Sequence, residues 1–197
     1  TTDLAVFTEG AIKHTSVIPI AGDQITNDIA MALRTPTKEA EELKIRHGVA
    51  LRQLASVTDM IDVPGVGDRP PRELSRQTLA EVIEPRVEEL YSLVQRELRS
   101  CGLEELLSSG IVITGGTSLM KGMVELGEEV FHMPVRVGAP QYSGPLAEVV
   151  RNPRYSTGMG LLLAGLDQMQ RDQHAKLQGA GFKDVLDRMK NWFKGNF

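Results

Sequence analysis

Apolar and polar residues alternate in the first twenty positions in the manner of two β-strands. The two runs, 4–7 and 12–20, are separated by Thr8-Glu-Gly10, a turn-forming triplet. A period of two that is interrupted by a glycine-containing turn predicts a β-hairpin.

Two helices are predicted after the hairpin. Thr26-Asn-Asp28 supplies side chains that cap helix N-termini, which predicts a helix over 29–33. Pro36 suits a first helical turn and Thr35 suits the cap, so a second helix is predicted to begin there and to end near Gly48.

The middle of the chain is predicted to contain short strands and one long helix. Residues 55–71 combine β-branched residues with Pro and Gly, which is typical of short strands and turns. In 73–100, apolar residues recur three and four positions apart, so this stretch is predicted to be a helix that Pro85 kinks or divides and Gly102 ends.

The next segment has the order strand, glycine pair, helix, strand. An apolar strand over 111–114 runs into Gly115-Gly116, a helix is predicted from about 118 to 131, and a further strand over 134–137. Glycines at the end of a strand let a ligand approach the backbone, and a following helix N-terminus offers N–H groups suited to phosphate. The pattern is equally typical of a structural turn, and it matches neither the Walker nor the dinucleotide fingerprint.

The pattern of apolar and polar residues changes twice in the C-terminal third of the chain. Residues 138–154 are predicted to be loop-rich and 155–170 to form an apolar, buried helix. The polar stretch 171–181 is predicted to be a flexible linker.

The last sixteen residues, 182–197, have the pattern of an amphipathic helix with four cations against two aspartates, a net charge of +2. Such a helix, roughly 20 Å long over 182–194, is too short to cross a bilayer core of about 30 Å. It suits the surface of an anionic membrane, and the polar linker before it argues against docking on the protein's own core, which is the alternative. The predicted membrane contacts are Phe182, Val185, Leu186, Met189, Trp192 and Phe193 on the apolar face and Lys183, Arg188, Lys190 and Lys194 on the cationic face.

Composition narrows the class of protein. The 197 residues are 41% hydrophobic and 24% charged, as in ordinary folded proteins, and the net charge of −4 argues against nucleic acid as a partner. Apolar runs are too short for a membrane span. The one cysteine excludes an internal disulfide, and the four histidines lack ligand spacing, so no metal site is predicted.

Three segments resemble motifs of the actin, Hsp70 and sugar-kinase superfamily, in the order in which that superfamily carries them. Thr1-Thr-Asp-Leu-Ala-Val6 resembles the end of its second phosphate loop, and 40–45 resembles the helix that covers the nucleotide. The run from 111 to 119, IVITGGTSL, resembles its adenosine motif.

Longer segments resemble the FtsA family of bacterial cell-division proteins, namely 12–15, 44–48, 67–86 and 155–163. The resemblance covers essentially all of the chain except the linker. It implies an α/β, actin-like (ribonuclease H-like) fold, of which the chain holds one lobe followed by the amphipathic helix. The implied segments are a truncated start of nucleotide-binding subdomain 2A (1–25), subdomain 2B with an FtsZ site (26–85), the rest of 2A with the adenosine motif (86–140), the C-terminal part of subdomain 1A (141–170), the linker (171–181) and the membrane helix (182–197).

The same resemblance implies an ATP site, with Mg²⁺ held largely by the phosphates. The implied nucleotide-binding residues are Thr1 and Thr2 near the terminal phosphates, Gly22 beside the ribose, Glu41 and Lys44 at sugar and base, and Gly115, Gly116 and Thr117. The first phosphate loop of the family and its catalytic acidic residue have no counterpart in the chain. No catalytic residue is therefore assigned, ATP binding is expected to be weak and hydrolysis at most weak.

A partner site is implied at Arg72 and Arg86, which match family positions implicated in contact with the C-terminal peptide of FtsZ. The guanidinium group of an arginine can bind both oxygens of a carboxylate, which suits an acidic peptide. The alternative is that these arginines only form ion pairs with nearby residues of the same chain. The implied function is a polymerising adaptor that binds ATP, tethers FtsZ to the cytoplasmic face of the inner membrane at the septum and helps to recruit later division proteins. Alternatives are a sugar kinase, an Hsp70-type ATPase, or a rod-shape or pilus-assembly actin homologue, and the C-terminal position of the amphipathic helix argues against them.

Overall fold

The structure, a computed structural model, describes residues 1–67 and 69–172. The chain divides into two compact units, Thr1–Ala139 and Pro140–Phe197. The elements of the first unit are β1 (Thr2–Thr8), β2 (Ala11–Ile18), α1 (Gly22–Leu33), α2 (Thr37–His47), β3 (Met60–Val63), β4 (Arg72–Ser75), α3 (Arg76–Ser100), β5 (Ile111–Ile113), α4 (Met123–Phe131) and β6 (Val135–Val137), with 3₁₀ turns at Arg52–Leu54, Glu104–Leu106 and Gly116–Leu119.

Three two-stranded sheets are present in the described part of this unit. Strands β1 and β2 form the predicted antiparallel hairpin, which pairs Thr2 with Ile18 and Thr8 with Ala11. Strands β3 and β4 are also antiparallel, whereas β5 and β6 are parallel and pair Ile111 with Val135. Strand β5 therefore lies beside β6, the strand that follows α4. The glycine pair comes shortly after the C-terminal end of β5.

Helix α3 contributes more buried apolar residues to the core than any other described element. Its buried residues lie three and four positions apart on one stripe, which packs against α1, α4 and β2. Each fully buried aliphatic side chain of this kind contributes about 1.5–3 kcal/mol to folding. The stripe consists of Leu79, Ala80, Ile83, Val87, Leu90, Tyr91, Val94 and Leu98.

Helix α1 begins seven residues before the predicted start. The Gln24 side chain accepts a hydrogen bond from the Ala21 N–H at 2.9 Å and so satisfies an N-terminal donor. Thr26-Asn-Asp28, predicted to be the cap, therefore lies inside the helix. The prediction of a helix over 29–33 was too short because the same residue types serve as caps and as tertiary hydrogen-bonding groups.

Helix α2 is confirmed, but its cap is not the predicted one. The N-cap residue is Pro36, and no side chain caps the helix. The Thr35 hydroxyl is buried and has no hydrogen-bond partner in the part of the chain that the structure describes. Gly48 ends the helix as predicted.

The long helix α3 begins three residues later than predicted and is not divided. Residues 72–75 form β4 instead, and the Ser75 hydroxyl caps the helix by accepting from the Thr78 N–H. Pro85 lies within one continuous helix of 25 residues. Gly102, with a φ of +69°, follows the end of the helix.

A 3₁₀ turn, not an α-helix, follows the glycine pair. Gly116–Leu119 forms the turn, and α4 starts only at Met123, after Gly122. The prediction of a helix from about 118 was therefore wrong at its start, and α4 does not begin at the glycine pair.

The second unit, as far as residue 172, contains α5 (Ala147–Val150), a 3₁₀ turn at Pro153–Tyr155 and a helix over 156–172, here termed α6. The helix prediction for 155–170 is confirmed, but the leucines of α6 are exposed, contrary to the expected burial. Helix α6 includes 171 and 172, the first two residues of the predicted linker. In the part of the chain that the structure describes, none of the helices combines the length and the apolar character that a membrane span requires. The rest of the linker and the amphipathic segment 182–197 lie outside the described residues.

Candidate functional site

Three separate parts of the sequence meet at the start of α1. A Cβ added to Gly22 would lie 2.6 Å from Oγ1 of Thr117 and 3.3 Å from Nζ of Lys44. The 3₁₀ turn after the glycine pair, the first turn of α1 and helix α2 therefore converge, and only a glycine fits at position 22 without displacing a neighbour. We refer to Gly22, Thr26, Glu41, Lys44 and Thr117 as the Gly22 cluster.

The ammonium group of Lys44 lies at the centre of the cluster. Its side chain is only 8% exposed, which is unusual for a lysine. Nζ donates to the Gly22 carbonyl oxygen at 3.0 Å, to Thr26 Oγ1 at 2.8 Å and to Glu41 Oε2 at 2.6 Å. Burial of this charge is offset by the carboxylate and by complete hydrogen bonding.

Glu41 is the exposed member of the ion pair, with 43% of its side chain accessible. Its Oε2 accepts hydrogen bonds from Lys44 and from the Thr26 hydroxyl. Desolvation by burial opposes ionisation, but the two hydrogen bonds and the charge of Lys44 outweigh it and lower the pKa of Glu41. The carboxylate is thus held ionised at one side of the cluster.

The first residue of the glycine pair, Gly115, adopts a conformation that favours glycine. Gly115 has a φ of +94° and Gly116 begins the 3₁₀ turn that carries Thr117. The turn is held by Ser118, whose buried hydroxyl donates to the Gly115 carbonyl oxygen at 2.7 Å. The strand end, the turn and Thr117 form one ordered loop beside Gly22.

Thr1 and Thr2 lie at the start of the hairpin. The Thr2 hydroxyl donates to the Ile20 carbonyl oxygen at 2.7 Å, two residues before Gly22, and Thr1 is exposed. The end of the second phosphate-loop motif is therefore tied to the segment that leads into the cluster.

The arrangement offers an ionised, half-exposed carboxylate beside a loop whose backbone a ligand can approach closely. A carboxylate accepts hydrogen bonds from the hydroxyl groups of a sugar, and a glycine-lined backbone accommodates a flat or phosphorylated ligand. Within the described residues, no group of three His, Cys, Asp or Glu side chains could hold a metal ion.

The two arginines predicted to bind a partner lie in different environments. Arg72, on β4, donates through Nη2 to the Leu33 carbonyl oxygen, and no described carboxylate lies within 4 Å of its guanidinium. Arg86, on α3, binds both carboxylate oxygens of Asp28, at 2.5 and 3.0 Å, and Glu89 at 2.5 Å. The guanidinium of Arg86 therefore already joins α3 to α1.

Sequence reasoning missed two members of the site, Thr26 and Ser118. Thr26 has the appearance of a helix cap in the sequence, and its role depends on the packing of α2 against α1. Ser118 lies within the run IVITGGTSL that resembles the adenosine motif, and this resemblance was a signal that could have found it.

Comparisons with known proteins identify the family of the chain. Residues 1–160 match the family described as "Cell division protein FtsA". The FtsA protein of Pseudomonas aeruginosa is 60% identical over 203 residues, which covers 100% of this chain and 49% of that protein. The FtsA protein of Escherichia coli K12 is 43% identical, and the match covers 98% of this chain and 47% of that protein. The FtsA protein of Bacillus subtilis is 39% identical, and the match covers 92% of this chain and 39% of that protein. The chain thus spans about half the length of the curated relatives it matches, or less.

Solved structures agree in fold. MreB5 of Spiroplasma citri bound to ADP superposes with a TM-score of 0.62 at 17% identity and covers 87% of this chain and 52% of that one. The AMPPNP-bound form gives a TM-score of 0.54 at 18% identity, and the match covers 83% of this chain and 51% of that one. The predicted α/β, actin-like fold is therefore confirmed for the lobe that the structure describes. Together with the match over residues 1–160, these similarities show that the chain belongs to the FtsA family of cell division proteins.

Proposed function

We propose that the chain carries the adenine-nucleotide site of a division adaptor that also binds the FtsZ C-terminal peptide and a membrane surface. The observation that carries the nucleotide proposal is the Gly22 cluster, in which α1, α2 and the Gly-Gly turn converge on an ionised carboxylate. The S. citri relatives, whose structures contain ADP and AMPPNP, support adenine nucleotide as the ligand class.

The residues present fit such a ligand. Gly115, Gly116 and Thr117 would let the adenosine approach the backbone, and Gly22, whose missing Cβ leaves room for Thr117 and Lys44, would lie beside the sugar. Glu41 would accept hydrogen bonds from ribose hydroxyls, and Thr1 and Thr2 would lie toward the phosphates. Mg²⁺ would be held by the phosphates, because the cluster provides no set of metal ligands.

The test is a Gly22→Ala substitution. The added methyl group would lie 2.6 Å from Thr117 Oγ1 and displace it, so we expect at least a fivefold loss of ADP affinity together with a loss of about 1–3 kcal/mol in the free energy of unfolding. Binding by the parent chain is expected to be weak, on the order of millimolar, or about −4 kcal/mol. Ligand-observed NMR measures affinities in this range.

The matched control is Gly160→Ala, on α6, where an added Cβ meets no atom within 4 Å. This variant should bind ADP as the parent does. Equal affinities for the parent and Gly22→Ala would contradict the proposed site.

For the FtsZ peptide we propose that Arg72 provides the more available guanidinium. Its fork has no described carboxylate within reach, whereas Arg86 would have to exchange Asp28 or Glu89 for a carboxylate of the partner. An acidic and apolar peptide therefore finds, at Arg72, a guanidinium that has no ion pair among the described residues but already donates to the Leu33 carbonyl oxygen, and at Arg86 one that it must share.

We expect Arg72→Met to weaken the binding of an FtsZ tail peptide about tenfold, the equivalent of one charge-assisted hydrogen bond. Titration monitored by fluorescence anisotropy of the labelled peptide measures it. Arg96→Met, which removes an exposed arginine on α3, is the control. If Arg72→Met and Arg96→Met bind the peptide equally well, the assignment of Arg72 is wrong.

The membrane part of the proposal is based on the sequence pattern of 182–197. The six residues of its predicted apolar face and its four cations suit the interface of an anionic bilayer. Attachment by one such segment is weak, so self-association into filaments would strengthen it through avidity. On this proposal the protein would act at the cytoplasmic face of the inner membrane at the septum, where later division proteins would join, and its ATP hydrolysis would be weak.

A further inference from the structure

The guanidinium of Arg86 has an edge that suits a carboxylate, and a residue of the same chain occupies this edge. Nε donates to Oδ2 of Asp28 at 2.5 Å, and Nη2 donates to Oδ1 of the same side chain at 3.0 Å. Two parallel N–H bonds to the two oxygens of one carboxylate are also the arrangement in which arginine recognises the acidic groups of partners. Asp28 therefore makes the contact that an acidic peptide would make.

The remaining contact of Arg86 is easier to replace. Nη1 donates to Glu89, but Glu89 lies three positions away on the same helix, and 49% of its side chain is exposed. Exposed ion pairs of this kind contribute little to stability. Asp28 is only 27% exposed and reaches Arg86 from another helix, α1. The main obstacle to a partner at Arg86 is therefore the bidentate contact with Asp28.

Helix α1 also supplies the acceptor for the second arginine of the proposed partner site. The carbonyl oxygen of Leu33, the last residue of α1, accepts from Nη2 of Arg72. A carbonyl oxygen is neutral and makes one contact here, so it is a weaker competitor than a carboxylate that binds with two oxygens. One helix thus occupies both arginines, and its hold is strongest at Arg86.

We propose that Asp28 is an autoinhibitory residue of the partner site. Its carboxylate occupies the edge of Arg86 that a carboxylate of an acidic FtsZ peptide would use, and the peptide binds Arg86 only by displacing it. This inference rests on the proposed partner site and adds its regulation. The apparent affinity of a site is reduced by the fraction of molecules in which that site is available, so the internal contact keeps peptide binding weak.

The experiment compares the parent 197-residue chain with Asp28→Asn, by fluorescence anisotropy of a labelled FtsZ tail peptide. Asparagine keeps the shape of the side chain but removes its charge and one of its two acceptor oxygens. Because this weakens the internal competitor, we expect the peptide to bind Asp28→Asn at least fivefold more tightly than the parent.

The control is Glu88→Gln, which makes the same change of net charge two residues from Arg86. Glu88 is exposed and forms no ion pair among the described residues, so its removal frees no cation. An acidic peptide gains only long-range attraction from this change, which salt screens. Glu88→Gln should therefore bind the peptide within about twofold of the parent.

A second pair of variants shows whether the gain depends on Arg86. Once Arg86→Met has removed the guanidinium, Asp28 has nothing left to withhold from the peptide. The double variant Asp28→Asn with Arg86→Met should therefore bind the peptide as Arg86→Met does, within about twofold. Such non-additivity is the signature of two residues that act through one contact. A gain from a general change of charge, or from a displaced α1, would persist without the arginine.

A direct readout uses the parent chain alone. The Nε–H signal of Arg86 in a ¹⁵N-labelled sample reports the group that donates to Asp28. Titration with the peptide should shift this signal with the dissociation constant that anisotropy gives. Asp28→Ser serves in place of Asp28→Asn if asparagine prevents folding, because serine also removes the carboxylate.

The outcomes separate the partner site from its regulation. If the parent binds no FtsZ peptide, the partner site is contradicted, and the autoinhibitory role fails with it. If the parent binds the peptide but Asp28→Asn binds no more tightly than Glu88→Gln, only the role of Asp28 is overturned. A gain that persists in the Arg86→Met background, or an Arg86 Nε–H signal that saturating peptide leaves unchanged, would overturn it as well.

Discussion

The acid sensitivity of the cluster depends on a single residue, Glu41. Its pKa is lowered because, although burial opposes ionisation, the hydrogen bonds from Lys44 and Thr26 favour the carboxylate. Protonation would leave the buried ammonium of Lys44 without its counter-charge. The pair is therefore stable only while Glu41 is ionised.

A group whose pKa is lower in the folded than in the unfolded state stabilises the fold above the unfolded pKa and loses that effect as the pH falls through the folded pKa. For Glu41 the loss begins below its ordinary value of 4.5. We expect the free energy of unfolding of the parent to fall more steeply below about pH 4.5 than that of Glu41→Gln, measured by urea denaturation across pH.

The control is Glu42→Gln, which makes the same change of charge on a more weakly held side chain, paired with Arg46 at 3.3 Å on the helix surface. It should follow the pH dependence of the parent. If Glu41→Gln also follows the parent, the carboxylate is not held as the structure indicates.

Some of this site is predictable at the scale of residues. Glu41 and Lys44 share a helix face because they lie three apart, and Gly115-Gly116 follows a strand, so both features are visible in the sequence. Thr26 is not, because its contacts with Glu41 and Lys44 span 15 and 18 positions and arise only when two helices pack. The site assignments themselves stay predictions until binding is measured.

At the scale of elements, α1 and α3 are joined by a bidentate ion pair. Arg86 Nε and Nη2 bind the two oxygens of Asp28 at 2.5 and 3.0 Å, across 58 positions of sequence. Both side chains are about 30% exposed, so the pair is partly shielded from water. Such a fork stabilises more than a surface pair with one contact.

A double-mutant cycle of Asp28→Asn and Arg86→Met should give a coupling energy of about 1–2 kcal/mol in the free energy of unfolding. The same cycle on Asp59 and Arg76, which form one contact at 3.4 Å, should give less than about 1 kcal/mol. Equal coupling in the two cycles would mean that the fork adds nothing to the packing of α1 on α3.

This ion pair also affects how partner binding is tested. Arg86→Glu would place a third carboxylate beside Asp28 and Glu89, so lost FtsZ binding could follow from displacement of α1. The double change Asp28→Arg with Arg86→Asp restores the pair while removing the cation from α3. Peptide binding that stays lost in this variant would support direct contact by Arg86.

The elements with strong periodicity were predictable, and their ends were not. The hairpin, α2 and most of α3 follow from spacing, because a period of two or 3.6 is a local property. The predicted α1 was too short because the N-terminal hydrogen-bond acceptor of the real helix is the Gln24 side chain. In the sequence, Gln24 is a weaker signal of a helix start than Thr26-Asn-Asp28. The division expected at Pro85 does not occur, and packing of the buried stripe outweighs the missing hydrogen bond.

At the scale of the whole molecule, the three-residue strands β5 and β6 carry too little pattern to predict their parallel pairing. The actin-like fold could be predicted only from the resemblance to the family, whereas the membrane segment at 182–197 is predicted from the amphipathic pattern of the sequence itself. That segment contains the only tryptophan, Trp192, which makes it a specific reporter.

We expect Trp192 fluorescence to shift to shorter wavelength and gain intensity when vesicles rich in anionic phospholipid are added, because the indole moves to the headgroup boundary. Vesicles of zwitterionic lipid should give a smaller shift. Met189→Glu should abolish the change, and Met189→Leu should keep it. A Trp192 that is already blue-shifted and indifferent to vesicles would contradict membrane binding.

The most direct test of the nucleotide site is a residue-resolved footprint of ADP on the ¹⁵N-labelled chain. The account predicts that amide shifts on titration concentrate at Gly22, Glu41, Gly115, Gly116 and Thr117, and that these five amides share one dissociation constant. Shifts that leave these residues unchanged, or that lie mainly on α6 in the second unit, would contradict it.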